Sequence, residues 1–131
     1  MIHFRVDGQP IPQGSMKVIN GHIIHSQGSA LAAWRSAIAL KAREAGATPL
    51  EGAIQLDMTF TTLRPRTVTR AHPTVPPDLD KLVRAVLDGL TAIAYRDDSQ
   101  VTAFTARKEY GERMGVEISI FRDTPTLPFQ G

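Results

Sequence analysis

Apolar and polar positions along this chain follow two periods, and the switches between them predict its elements. Ile2, Phe4 and Val6 alternate with His3, Arg5 and Asp7, the pattern of a strand with one buried face, and the run stops at Gly8. Residues 8–28, GQPIPQGSMKVINGHIIHSQG, are rich in Gly, Pro, Asn and Ser and predict a long loop with a small hairpin turning at Asn20-Gly21. Ser29 is the expected N-cap of a helix reaching about Ala45, with Leu31, Trp34, Ile38 and Ala42 on its core face and Gly46 as its stop. In AIQLDMTFT, Ile54, Leu56, Met58 and Phe60 point inward while Gln55, Asp57, Thr59 and Thr61 form a wet face. Leu79, Leu82, Val83, Val86, Leu87 and Leu90 then recur at helical spacing, predicting an amphipathic helix from just after Pro77 to near Ala92. Two further strands, QVTAFTARK and MGVEISIF, are joined by EYGER in what reads as a hairpin. The order strand, helix, strand, helix, strand, strand predicts an α+β fold with both helices on one face of a small mixed sheet.

At 131 residues and 42% apolar content the chain is expected to form one domain, residues 1–131, with segment 124–131 as a flexible tail of no assigned function. It has no basic N-terminal segment followed by an apolar run, so a soluble cytoplasmic protein is expected. Without cysteine there is no disulfide framework or thiolate metal site, and four scattered histidines do not make a zinc site. His22 and His25 are expected as loop residues, and Trp34 lies on an apolar helix face where core packing explains it. Any bound metal must therefore be held by oxygen.

Charge changes the picture by its distribution rather than its sum, which is only +2. Segment 76–100, PPDLDKLVRAVLDGLTAIAYRDDSQ, holds the five aspartates Asp78, Asp80, Asp88, Asp97 and Asp98. The preceding LRPRTVTRAHPTVPP carries Arg64, Arg66, Arg70 and His72 with no acid. Singly, these acids have ordinary roles: Asp78 or Asp80 as a helix cap, Asp88 paired with Arg84, Asp97-Asp98-Ser99 as a turn. Together they point elsewhere, provided the chain returns Asp97 and Asp98 to the right end of the helix. Gathered carboxylates repel unless a cation neutralises them, and hard ions such as Mg²⁺ or Mn²⁺ suit carboxylate, water and phosphate ligands. Such ions hydrolyse phosphodiesters, one activating water while a second, roughly 3.5–4 Å away, stabilises the leaving oxygen. Lys81 and Arg84 on the same helix add positive charge for a phosphate or the transition state.

PDLDKLVRAVLDGLTAIAYRDDSQV resembles the core signature of the RusA family of Holliday-junction resolvases, an Asp-x-Asp-Asn-x-x-Lys helix start, an Asp-Ala/Gly-Leu segment and Asp-Asp-x-Gln-Val. PQGSMK and AAWR resemble the N-terminal loop and first-helix segments of its phage and prophage members. The resemblance implies a homodimeric, Mg²⁺- or Mn²⁺-dependent endonuclease that makes paired nicks in four-way DNA junctions during recombination or repair. Its essential acids fall on Asp78, Asp80 and Asp98, with Asp97 as a helper to the metal. Its catalytic lysine falls on Arg84 and its asparagine on Lys81, two departures that leave the ammonium role to either residue. Lys17, Arg64, Arg66, Arg70 and His72 are the candidate DNA contacts, of the phosphate-binding kind. Alternatives from the residues themselves are a metal-dependent nuclease on other branched or phage replication intermediates, a non-catalytic junction or single-stranded DNA-binding module, and a dimer holding a structural Ca²⁺.

Overall fold

The computed structural model describes residues 1–14, 16–20, 22–25 and 28–123, with 16–19 and 22–25 described by their backbone alone. In chain order the elements are β1 (Ile2–Asp7), β2 (Met16–Ile19), β3 (His22–His25), α1 (Gly28–Glu44), β4 (Ile54–Thr62), α2 (Leu79–Leu90), β5 (Val101–Tyr110) and β6 (Gly115–Arg122). The α+β expectation holds: a mixed four-stranded sheet in the order β1-β6-β4-β5 carries both helices. The small hairpin expected within the long loop is present: β2 and β3 pair antiparallel with Ile19 opposite His22. His22 and His25 are therefore strand residues rather than loop residues. The expected flexible tail lies outside the described residues.

The apolar alternation sets the core. Phe4, Val6, Leu56, Met58, Phe60, Val116, Ile118 and Ile120 line the inner sheet face, covered by Trp34, Ile38 and Ala42 of α1 and Leu82, Val83, Val86 and Leu90 of α2. Gly46, at φ +96°, ends α1 as predicted: its N–H donates to the Arg43 carbonyl and that of Ala47 to the Ala42 carbonyl, a Schellman closure. The helices approach closely at Gly89, where an added Cβ would lie 3.3 Å from the Arg35 carbonyl oxygen. Thr61, expected on the wet face, is buried because Gly111 packs over it.

Strand order corrects one expectation. β5 and β6 do not form a hairpin, since β4 lies between them, parallel to β5 and antiparallel to β6. The unit β4-α2-β5 is a parallel crossover, with the helix packed over the strands it connects. Burial explains the placement: β4 and β6 each bury a full apolar row, whereas β5 exposes Thr102, Ala103, Phe104 and Thr105 and suits an edge. At the opposite side, the Cβ of an alanine at Gly115 would sit 2.4 Å from the Val6 carbonyl oxygen in the β1–β6 ladder. Gly115→Ala is expected to cost about 2–3 kcal/mol, read as a lower urea midpoint with an unchanged m-value. None of the helices among the described residues is long and apolar enough to cross a membrane.

Candidate active site

The acids fall into two groups, one at each end of α2. At its start, Asp78 holds the N-cap position with extended backbone (φ −70°, ψ 140°), and Asp80 already lies in the first helical turn. The Asp78 side chain makes no cap hydrogen bond. Its Oδ2 is instead 3.9 Å from Lys81 Nζ, and both groups are substantially exposed. Asp80, Lys81 and Arg84 line a cleft of about 360 Å³ together with Gln13 and Gly14. The Gln13 N–H donates to the Lys81 carbonyl, which fastens the N-terminal segment against this helix turn. One anionic and two cationic side chains thus share an open recess with Gln13 and Gly14.

The start of α2 is held from below by Lys108 on β5. Its ammonium donates to the carbonyls of Val75 (2.9 Å) and Pro77 (3.0 Å), the residues leading directly into Asp78. This clamp fixes the backbone that leads into Asp78. Nothing in the local sequence marks Lys108, because its partners are main-chain atoms more than thirty residues away.

At the other end, Asp88 pairs with Arg35 of α1 at 3.8 Å, not with Arg84, because α1 packs against that flank of the helix. Tyr95 is fully buried and its hydroxyl donates to the Leu87 carbonyl at 2.7 Å. Burial pushes the Tyr95 hydroxyl far above its ordinary pKa; the Thr91 hydroxyl opposes this, while the charges of Asp98, Asp88 and Asp97 add to it. Asp97 caps a 3₁₀ turn, Asp98–Gln100, in a capping box. Its carboxylate accepts from the Ser99 hydroxyl and the Ser99 N–H, which hold it below the usual carboxylate range. Gln100 completes the box through its Oε1 and staples the turn to the Leu50 and Gly52 carbonyls through Nε2, both at 2.9 Å. Asp97 is therefore engaged, while Asp98 beside it is exposed and accepts no side-chain bond among the described residues.

Within one chain the two acid groups do not meet. Val101 follows the Asp98 turn and Lys108 underlies Asp78; seven residues of extended strand place these ends about 23 Å apart. Among the described residues no three His, Asp or Glu side chains are grouped closely enough to hold an ion.

The basic loop belongs to the Asp78 end. Arg64, Arg66, Arg70 and His72 are all exposed on the segment that leads into Pro77. Arg70 Nε donates to the Tyr110 hydroxyl at 3.0 Å, and the Arg64 guanidinium lies 5.2 Å from the centre of the same ring. The side chain of Lys17 lies outside the described residues. Sequence reasoning assigned no role to Gln13, Gly14, Lys108 or Gln100, although the first two sit inside the PQGSMK segment and Gln100 inside the DDSQV segment.

Comparison with known proteins gives two results. The family described as Endodeoxyribonuclease RusA matches residues 7–121. A Bacillus subtilis (strain 168) protein called Uncharacterized protein YqaN is 28% identical over 134 residues, which cover 91% of this chain and 94% of that one.

Proposed function

The chain belongs to the RusA endodeoxyribonuclease family, and from that premise we propose that it is a single-domain, divalent-metal-dependent endonuclease that nicks opposed strands of four-way DNA junctions as a homodimer. The observation that carries the proposal is Asp78, which occupies a cap position without capping and faces Lys81 beside Asp80. A carboxylate withheld from its structural use, next to a second acid and two cations, fits a site for a hard cation and a phosphodiester.

The missing acid comes from a second copy. Among the described residues β5 is an edge strand whose outer side offers unpaired N–H and C=O groups, and Phe104 at its middle is 50% exposed on the helix-bearing face. Two β5 strands paired antiparallel across a two-fold axis near Phe104 bury that ring and lay the start of one strand beside the end of the other. Each Asp98 then faces the partner's Asp78 and Asp80. The repulsion among these three carboxylates is what a bound cation relieves.

When bound, Mg²⁺ or Mn²⁺ supplies an activated water and countercharge for the leaving oxygen. Asp78, Asp80 and the partner's Asp98 would hold it, with Asp97 fixing the turn that presents Asp98. Lys81 and Arg84 orient the phosphodiester through its non-bridging oxygens. Lys81, 3.9 Å from Asp78, takes the role of the family lysine, whose own position is held by the planar guanidinium of Arg84. Arg64, Arg66, Arg70, His72 and Lys17 contribute salt-sensitive phosphate contacts with little sequence choice.

A gel assay tests this reading: purified protein on a mobile four-way junction and on linear duplex of the same sequence, in Mg²⁺, Mn²⁺ and EDTA. Paired, metal-dependent nicks confined to the junction are expected; equal binding with no nicking in either metal would retire the nuclease. The Lys108 clamp gives a second expectation. Lys108→Met should raise the Mg²⁺ concentration for half-maximal nicking about tenfold, as loss of a supporting contact behind metal ligands does. A variant with wild-type Mg²⁺ dependence would show that the clamp does not set the site.

A further inference from the structure

We propose that the recess at the root of the basic loop is a pocket for a single unstacked nucleobase next to the scissile phosphate, and that it gives the enzyme its choice of cleavage sequence. This rests on the nuclease reading for the identity of the phosphate, but not for the pocket itself.

The recess has a volume of about 270 Å³ and an apolar lining, Leu63, Pro73, Val75 and Pro76 on the loop side and Tyr110 and Met114 on the sheet side. This sets it apart from the cleft at Asp80, whose lining is charged. Leu63 and Val75 remain 48% and 42% exposed at its mouth. Grouped around a recess, these side chains offer apolar surface to a ligand's ring.

Three observations favour a nucleobase as the occupant. First, the Tyr110 ring is held in place before any ligand arrives, by Arg70 on its hydroxyl and Arg64 over its ring. A fixed aromatic ring is a stacking platform, and every base has a π-face to offer it. Second, Arg70 lines the apolar pocket and brings a cationic group to it, and Arg64 stands beside the same tyrosine. That combination suits a nucleotide, with its apolar ring and anionic phosphate, better than an apolar protein side chain. Third, the pocket adjoins the acids through the chain itself: Pro77 lines it and Asp78 follows, while Lys108 lines it and holds the Pro77 carbonyl. A nucleotide with its phosphate at Asp78 and Asp80 therefore has its base within reach of Tyr110.

Branch points favour such a capture, because stacking is interrupted there and a base leaves the stack at reduced cost. Gln9 also lines the pocket and is exposed. Its amide carries both a donor and an acceptor, which lets it distinguish base edges in a way phosphate contacts cannot.

The test is a coupling cycle between protein and DNA. Junctions carrying an abasic site at each nucleotide flanking the nick are compared with intact junctions for binding in Ca²⁺ and for nicking in Mg²⁺, using wild type, Tyr110→Ala and Val75→Trp. The second variant fills the pocket from an exposed loop position and leaves the β5 ladder alone. At one flanking position, removing the base is expected to weaken wild-type binding roughly tenfold, the scale of one base–aromatic stack. Both variants should lose the same factor on intact DNA and bind the abasic junction as wild type does. Equal losses on intact and abasic DNA, or no coupling at any flanking position, would overturn the pocket. Coupling in Ca²⁺ without nicking in Mg²⁺ or Mn²⁺ would support the pocket and count against the nuclease reading instead.

Discussion

Asp80→Asn is expected to reduce nicking of a four-way junction at least about a thousandfold, a barrier increase of roughly 4 kcal/mol, while junction binding stays level or tightens. Asparagine matches the shape of aspartate but lacks the charge that holds a hard cation. Asp80 is exposed in the first turn of α2, so the loss cannot be assigned to unfolding; surface changes of this kind usually shift stability by less than about 0.5 kcal/mol. Binding is retained because the substitution removes a negative charge from a cleft that Lys81 and Arg84 share, and DNA phosphate is repelled less. Single-turnover nicking in Mg²⁺ beside a gel shift in EDTA separates the two effects. An Asp80→Asn protein that nicks within tenfold of wild type would remove Asp80 from the site.

The second large effect is a recovery. Asp80→Asn and Asp98→Asn homodimers should each be inactive, yet mixing them as exchanging subunits should restore nicking. If each site takes Asp78 and Asp80 from one chain and Asp98 from its partner, a mixed dimer has one doubly defective site and one with all its acids. Random pairing makes half the dimers mixed, so about a quarter of the wild-type sites return. Because only one strand can be cut per mixed dimer, the product should be nicked junction rather than paired cuts. A site built within one chain predicts no recovery at any mixing ratio, so continued inactivity after verified subunit exchange would dismiss the β5-paired arrangement. The structure motivates the experiment through one measure, the strand of about 23 Å that separates the two acid groups along β5.

Much of the fold was legible in the sequence because it depends on local periodicity. The alternation of Phe4 with Val6, and of Leu56, Met58 and Phe60, reports which strand faces are buried, and the row from Leu82 to Leu90 reports the buried face of α2. Gly46 marks a helix end because the left-handed backbone there is cheap only for glycine. The grouping of acids and the departures at Lys81 and Arg84 are also properties of the string alone.

What tertiary structure decided is every matter of which elements are neighbours. QVTAFTARK and MGVEISIF have the composition of a hairpin, yet β4 separates them, because a parallel crossover through α2 lets β4 bury both its flanks. The same crossover sends Asp98 to the far end of α2 from Asp78 and leaves β5 at the sheet edge. Lys108 and Tyr110 acquire their roles through partners forty or so positions away or less, residues whose proximity no window of sequence contains. Side-chain periodicity is set by the geometry of one element, whereas strand order is set by the packing of all of them together. The sequence by itself therefore determined the helices, the buried faces and the chemical character of the acids, and the packed sheet decided at which ends those acids stand.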